Sequence, residues 1–179
     1  MFQTDFGQLR ATMVEDQIVG RGVRDPKVLE AMRAVPRETF IPQALQEFAY
    51  EDAALAIDED ETLPQPYLVA VMADALSIDE HSKVLEIGTG TGYATAVLSR
   101  LAGSVYTVES SGPVATKAAA ILHELRYPYV HVVHADANLG LADHAPFDAI
   151  FVNPGGAGVT GALQEKLAIG GRLVVSAGA

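Results

Sequence analysis

The chain contains no cysteine. That excludes disulfides, thiolate nucleophiles and zinc–thiolate sites. Basic residues are scarce: 12 Lys and Arg stand against 23 Asp and Glu, for a net charge of −11 over 179 residues. A nucleic-acid binder carries a basic face, so neither DNA nor RNA is expected as a partner. No apolar run has the length or flanks of a signal peptide or a membrane span, so no membrane partner is expected and the cytoplasm is the expected compartment. The histidines (His81, His123, His131, His134, His144) lack metal-ligand spacing. No metal is expected, and His131 and His134 read as packing or surface residues. Internal repeats are absent, and the length fits one domain.

What the chain does have is concentrated in residues 83–109, KVLEIGTGTGYATAVLSRLAGSVYTVE. Lys83 to Ile87 reads as a buried strand interrupted by one acid, Glu86. Gly88, Gly90 and Gly92 follow at once, then apolar residues at helical spacing from Thr91 to Leu101. A second strand, Val105 to Val108, closes on Glu109. This is half of a nucleotide-binding α/β unit. Glycines let the backbone turn sharply and approach a ligand. An acid about 20 residues downstream can accept hydrogen bonds from ribose hydroxyls. A dinucleotide fingerprint wants G-x-G-x-x-G; here the third glycine falls one place early and Tyr93 takes its position. Nothing nearby is basic enough to pair with a phosphate, and Glu86 would repel one. A cationic adenosyl compound with a free ribose diol fits better, and S-adenosylmethionine has those features. The alternative is a tight strand-to-helix turn that holds no ligand.

Residues 1–50 read as helical and lie outside the nucleotide fold. One amphipathic helix spans Gln8 to Val19, broken by Gly20 and Gly22. Asp25 is an N-cap with Pro26 in the first turn, and Val28, Leu29, Met32 and Val35 give the apolar face of a second helix. Residues 51–66 read as a loop rich in acids and prolines, and Tyr67 to Leu76 as a helix. Past Glu109 come a helix over 113–125, a strand Tyr129 to Val133, a strand within 145–152, a helix Val159 to Leu167, a turn at Gly170–Gly171 and a strand Arg172 to Val175. The alternation predicts an α/β fold: a Rossmann-like, doubly wound parallel sheet with an N-terminal helical extension. Ligands bind such sheets outside the carboxyl ends of the strands. Gly88–Gly92, Glu109, Asp136 and Asn153 all fall on that edge.

The chain resembles the protein-L-isoaspartate O-methyltransferases along nearly its whole length. The resemblance is carried by M-V-E-D-Q-I near residue 13, R-G-V-R-D-P-K-V-L-E-A-M at 21–32, V-P-R-E-T-F-I-P at 35–42 and A-Y-E-D at 49–52. It continues through Q-P-Y-L-V-A at 65–70, V-L-E-I-G-T-G-T-G-Y at 84–93, A-P-F-D-A-I at 145–150 and G-G-R-L-V at 170–174. It implies methyl transfer from S-adenosylmethionine to the side carboxylate of isoaspartyl residues in damaged proteins, which are the implied partners. It implies that Gly88, Thr89, Gly90 and Gly92 hold the methionine half of the cofactor, with Glu86 shaping the turn. Glu109 would bind the ribose diol, and Asp136 and Ala137 would flank the adenine. Thr62 and Gln65 are the candidates for the catalytic substrate loop. The expected organisation is a single domain, residues 1–66 forming a helical segment and substrate loop packed on a cofactor-binding core of 67–179.

This sequence departs from the family pattern in three places. Where the family reads G-Q-T-I-S-Q-P, this chain reads Asp60-Glu61-Thr62-Leu63-Pro64-Gln65-Pro66, so Pro64 replaces a serine hydroxyl. The family's Gly-Asp-Gly is Ala135-Asp136-Ala137. The family continues past residue 179 with further strands that are absent here; the last strand is then an open apolar edge. A monomer is expected, with self-association through that edge as the alternative. Asp60 and Glu61 sit near the mouth. If they face an anionic substrate at 4 Å, each pair of charges costs about 4 kcal/mol at an effective dielectric near 20; if they face solvent, the effect is small. Two rival readings stay open: a cofactor-binding but catalytically silent homologue, and a different acceptor. Asn153-Pro154 begins like an amino-methylating motif, but Gly155 and Gly156 replace its aromatic platform.

Overall fold

The computed structural model describes residues 4–58, 61–136, 141–154 and 161–176. Its centre is a five-stranded sheet of β3 (Lys83–Ile87), β4 (Ser104–Glu109), β5 (Val130–His134), β6 (Phe147–Val152) and β7 (Leu167–Val175). The two strands that precede it are β1 (Leu55–Asp58) and β2 (Glu61–Leu63). The sheet order is β5-β4-β3-β6-β7 and every pairing is parallel. Strand order reverses between β3 and β6, so the crevice of a doubly wound sheet opens at their carboxyl ends. The apolar run of β3 fits a central parallel strand covered on both faces.

Side chains alternate across β3. Val84 joins a cluster with Val105, Ala149, Phe151, Val97 and Leu122 on one face. Leu85 and Ile87 join Val108, Ile150, Val152 and Leu163 on the other. The first face is covered by α3 (Pro66–Leu76), α4 (Tyr93–Ser99), α5 (Gly112–Glu124) and N-terminal elements; the second carries α6 (Gly161–Gln164).

The N-terminal segment starts as α1 (Phe6–Thr12), with the Asp5 carboxylate accepting from the Gln8 N–H. It then widens into a π-helical stretch over Met13–Ile18 and tightens over Val19–Arg21. Gly22, at φ 101°, ends the run. The expected single amphipathic helix is thus one helical path with two changes of pitch. Helix α2 (Pro26–Ala34) has Asp25 as N-cap and Pro26 in its first turn, as the sequence indicated. Met13, Val14, Ile18, Val28, Met32 and Phe40 are buried in the same cluster as Val84 and Phe151.

Three expectations need correcting. Residues 51–66 are not all loop: β1 and β2 pair as an antiparallel hairpin. Period-two alternation at Leu55, Ile57 and Leu63 supplies its inward face, and the surrounding acids and prolines masked it. Gly170–Gly171 does not end a connection but lies inside β7. The register against β6 jumps from Leu167 to Arg172, and Gly170 takes a positive φ in that irregularity. Among the described residues of the expected 159–167 helix, only Gly161–Gln164 is helical, and Leu167 already belongs to β7. Among the described residues, no helix is long and apolar enough to cross a membrane.

Candidate active site

The turn between β3 and α4 is built by three glycines with positive φ, at 85°, 51° and 87° for Gly88, Gly90 and Gly92. Its N–H at Gly88 donates to the Val108 carbonyl at 2.8 Å, which ties the turn to β4. A Cβ on Gly92 would meet Leu122 Cδ1 at 3.2 Å, so that glycine is required by the packing of α5. A Cβ on Gly90 would meet nothing within 4 Å. The backbone there is bare and faces open space, which is what a ligand lying against it needs.

Glu86 lies under this turn, fully buried. Thr95 of α4 donates to one carboxylate oxygen. The Asn153 amide donates to the other at 2.7 Å and to the Gly88 carbonyl at 2.6 Å. Burial pushes the Glu86 carboxyl up to about 7, against the hydrogen bonds of Thr95, Thr107 and Asn153 and with a small push from Glu109. Glu86 therefore acts through the turn, as a brace joining β3, α4 and the end of β6. Thr89 and Thr107 hydroxyls bond at 2.7 Å and add a second tie.

Glu109 sits half-buried at the end of β4. One oxygen accepts from the Gly90 N–H at 3.0 Å, the other from the Ser111 N–H at 3.0 Å. The acid and the bare glycine are thus in direct contact. Asp136 is exposed just past β5, on the same carboxyl edge. Ala137, Asp60, Gly155 and Gly156 lie outside the described residues. His134 bonds the Ser110 carbonyl at 3.1 Å and His131 stacks on Tyr106 at 4.5 Å, so both are structural. Among the described residues, no group of three or more His, Asp or Glu could hold a metal.

Thr62 and Gln65 do come together. With Ala53, Ala54, Pro64, Leu68 and Pro154 they line a cavity of about 300 Å³. Pro154 follows Asn153 at the end of β6, so the hairpin side of the cavity meets the switch-point edge. The Gln65 side chain donates to Asp52 at 2.7 Å, and Asp52 pairs with Arg21 at 3.0 Å. Glu61 takes neither expected orientation. It is only 7% exposed and pairs with Lys117 of α5 at 3.1 Å, away from that cavity. The charge penalty set out for Glu61 is thereby removed.

Sequence reasoning passed over Thr95, Thr107 and Arg37. The threonines sit in ordinary helix and strand positions and leave no local signal. Arg37 stands in the quoted V-P-R-E motif with Glu38 beside it, an ordinary surface pattern that gives no local sign of its burial.

A parallel sheet with this order, a three-glycine turn after its first strand and an acid at the end of the second define an α/β fold of the class I methyltransferase kind. Residues 9–179 match the family model described as protein-L-isoaspartate(D-aspartate) O-methyltransferase, and the chain belongs to that family. The protein-L-isoaspartate O-methyltransferase 2 of Pelobacter propionicus is 49% identical over 170 residues, spanning 95% of this chain and 76% of that one. A solved protein-L-isoaspartate O-methyltransferase superposes with a TM-score of 0.84 at 31% identity over 93% of this chain, which spans 54% of that structure's length. A Plasmodium falciparum structure titled as a putative member, in complex with S-adenosyl-L-homocysteine, has a TM-score of 0.79 at 19% identity, covering 93% of this chain and 83% of that one.

Proposed function

We propose that this chain transfers a methyl group from S-adenosylmethionine to the side carboxylate of isoaspartyl residues in proteins. One observation carries the reading: the cavity of Thr62, Pro64, Gln65 and Pro154 adjoins the carboxyl edge that bears the Gly88–Gly92 turn and Glu109. The cofactor fits the residues present. The open face of Gly90 takes its backbone-hugging half, Glu109 its ribose hydroxyls, and Asp136 with Ala137 the adenine side. When bound, it supplies an electrophilic methyl on a sulfonium. The acceptor is a carboxylate, already a nucleophile at neutral pH, so the chain needs no general base. Its own residues orient the carboxylate and exclude water. Thr62 offers the hydroxyl on the hairpin side, and Gln65 an amide.

The polypeptide works in this reading as a cytoplasmic monomer with residues 1–66 packed on the 67–179 core. Labelled cofactor offered with an isoaspartyl peptide should give base-labile methyl incorporation, and the aspartyl peptide none. Equal labelling of both peptides would overturn the specificity. Pro64 favours a second reading, a binding but silent homologue, because it removes a hydroxyl from the loop. Binding without turnover in the same assay, with turnover restored in Pro64→Ser, would establish that reading instead.

A further inference from the structure

The least expected charge in the molecule is Arg37, which is 1% exposed. Its Nε donates to the Ala49 carbonyl at 2.7 Å and one terminal nitrogen to the Pro64 carbonyl at 2.6 Å. Its guanidinium carbon lies 4.6 Å from the centre of the Tyr93 ring, immediately after the glycine turn. The other terminal nitrogen has no partner, and no carboxylate pairs with Arg37 among the described residues. Burial lowers its pKa from the ordinary value, opposed by Tyr93 and Tyr50, yet a guanidinium keeps its charge in proteins. A buried, uncompensated cation is costly. Here it holds the carbonyl of Pro64, a residue that lines the cavity proposed above to take a carboxylate.

The bond to Pro64 also fixes a direction. The Pro64–Gln65 peptide is trans. In a trans peptide the C=O and N–H point to opposite sides of the chain. The carbonyl faces the buried guanidinium, so the Gln65 N–H faces away from it. Pro64 and Gln65, the two residues of that peptide, both line the cavity with Thr62 and Leu68. Among the described residues, nothing accepts from that N–H. Gln65 is also the N-cap of α3, whose first turn has no side-chain cap, and such a terminus favours negative charge.

We propose that Arg37 is a positioning residue for the acceptor: by holding the Pro64 carbonyl it presents the Gln65 backbone N–H to the isoaspartyl carboxylate, replacing the hydroxyl that Pro64 lacks. This rests on the reading under Proposed function and adds the group that recognises the substrate. It also gives Pro64 a use, since a ring that fixes φ holds the peptide stiffly.

The test measures binding of a labelled isoaspartyl peptide to protein saturated with S-adenosylhomocysteine, by anisotropy. Gln65 has φ −51°, which a proline ring accepts. Gln65→Pro therefore deletes the N–H, while Gln65→Ala deletes only the side chain. A hydrogen bond to a charged group supports about a tenfold loss of affinity in Gln65→Pro beyond that of Gln65→Ala. Arg37→Met should lose about as much, with Arg37→Lys between it and the wild type, because a compact ammonium keeps the charge but lacks the rigid fork whose separate nitrogens hold the two carbonyls. Calorimetric affinity for S-adenosylhomocysteine should stay within about twofold in every variant. Equal affinities of Gln65→Pro and Gln65→Ala overturn the proposal. So does parallel loss of peptide and cofactor in Arg37→Met. If Arg37→Met fails to fold by circular dichroism, the Gln65 pair decides. A wild type that binds isoaspartyl and aspartyl peptides alike sinks the functional reading and this one together. Discrimination by the wild type with an indifferent Gln65 pair sinks this one alone.

Discussion

Glu86 is the residue on which the glycine turn leans, and its energetics carry a sign that can be measured. Its folded pKa of about 7 lies above the ordinary 4.5, because burial disfavours the carboxylate more than Thr95, Thr107 and Asn153 can repay. The folded state then binds a proton more tightly than the unfolded state. Its contribution to stability is complete below pH about 4.5 and is lost as pH rises through 7. A shift of this size corresponds to about 3 kcal/mol. Glu86→Gln removes the titration. Subtracting its unfolding free energy from that of the wild type cancels the other titrating groups, provided they are unperturbed. The difference should move by about 3 kcal/mol in the variant's favour between pH 4.5 and pH 8. Parallel pH profiles from denaturant titrations would show that the buried carboxyl does not titrate there. The negative charge of Glu109 adds a small upward push on Glu86, so Glu109→Gln should shift the midpoint of that profile down rather than abolish it.

At the scale of the element, the strand–turn–helix unit divides its labour between two glycines. Both Gly90 and Gly92 need positive φ, which costs an L side chain about 1–2 kcal/mol. They differ in what lies above them: Leu122 of α5 at 3.2 Å for Gly92, open space for Gly90. Gly92→Ala should therefore lose more stability than Gly90→Ala, because α5 must also move. Gly90→Ala should lose more affinity for S-adenosylhomocysteine, because its methyl fills the cradle. Thermal unfolding and calorimetry on the two variants read these separately, and the reverse ranking would misassign the turn. The same unit was the most legible part of the sequence. A buried apolar strand, three glycines and an acid leave little freedom in how the chain folds locally. The β1–β2 hairpin was illegible because its composition says loop and its pattern is only a few residues long. The irregularity in β7 was misread for a related reason: paired glycines signal a turn, and only pairing with β6 shows that the strand resumes. Glu86, Glu109, Thr62 and Gln65 could be picked from sequence as types at positions. That Glu86 is braced from β6, or that Glu61 turns to Lys117, depends on contacts between distant elements that no local pattern encodes.

At the scale of the molecule, the question is whether the N-terminal segment is an attachment or part of the core. Met13, Val14, Ile18, Val28, Met32 and Phe40 share one buried cluster with Val84, Val97 and Phe151 of the sheet and its first helix. Arg37 then links Ala49 and Pro64 to Tyr93, and Phe40 meets the Tyr93 ring edge-on at 5.8 Å. Both parts contribute to that one cluster, so neither could open without exposing the other's interior. Unfolding should therefore be one cooperative event: a single calorimetric transition, with equal van't Hoff and calorimetric enthalpies. Val14→Ala, far from the glycine turn in sequence, should lower the midpoint of that single transition, at a cost of about 1–3 kcal/mol for a truncated core side chain. Two resolved transitions, or a variant that melts the N-terminal helices while the sheet persists, would mean that the substrate side and the cofactor side are separate units. The Arg37 link from acceptor loop to cofactor helix would then join two bodies that move apart, and positioning through it would fail.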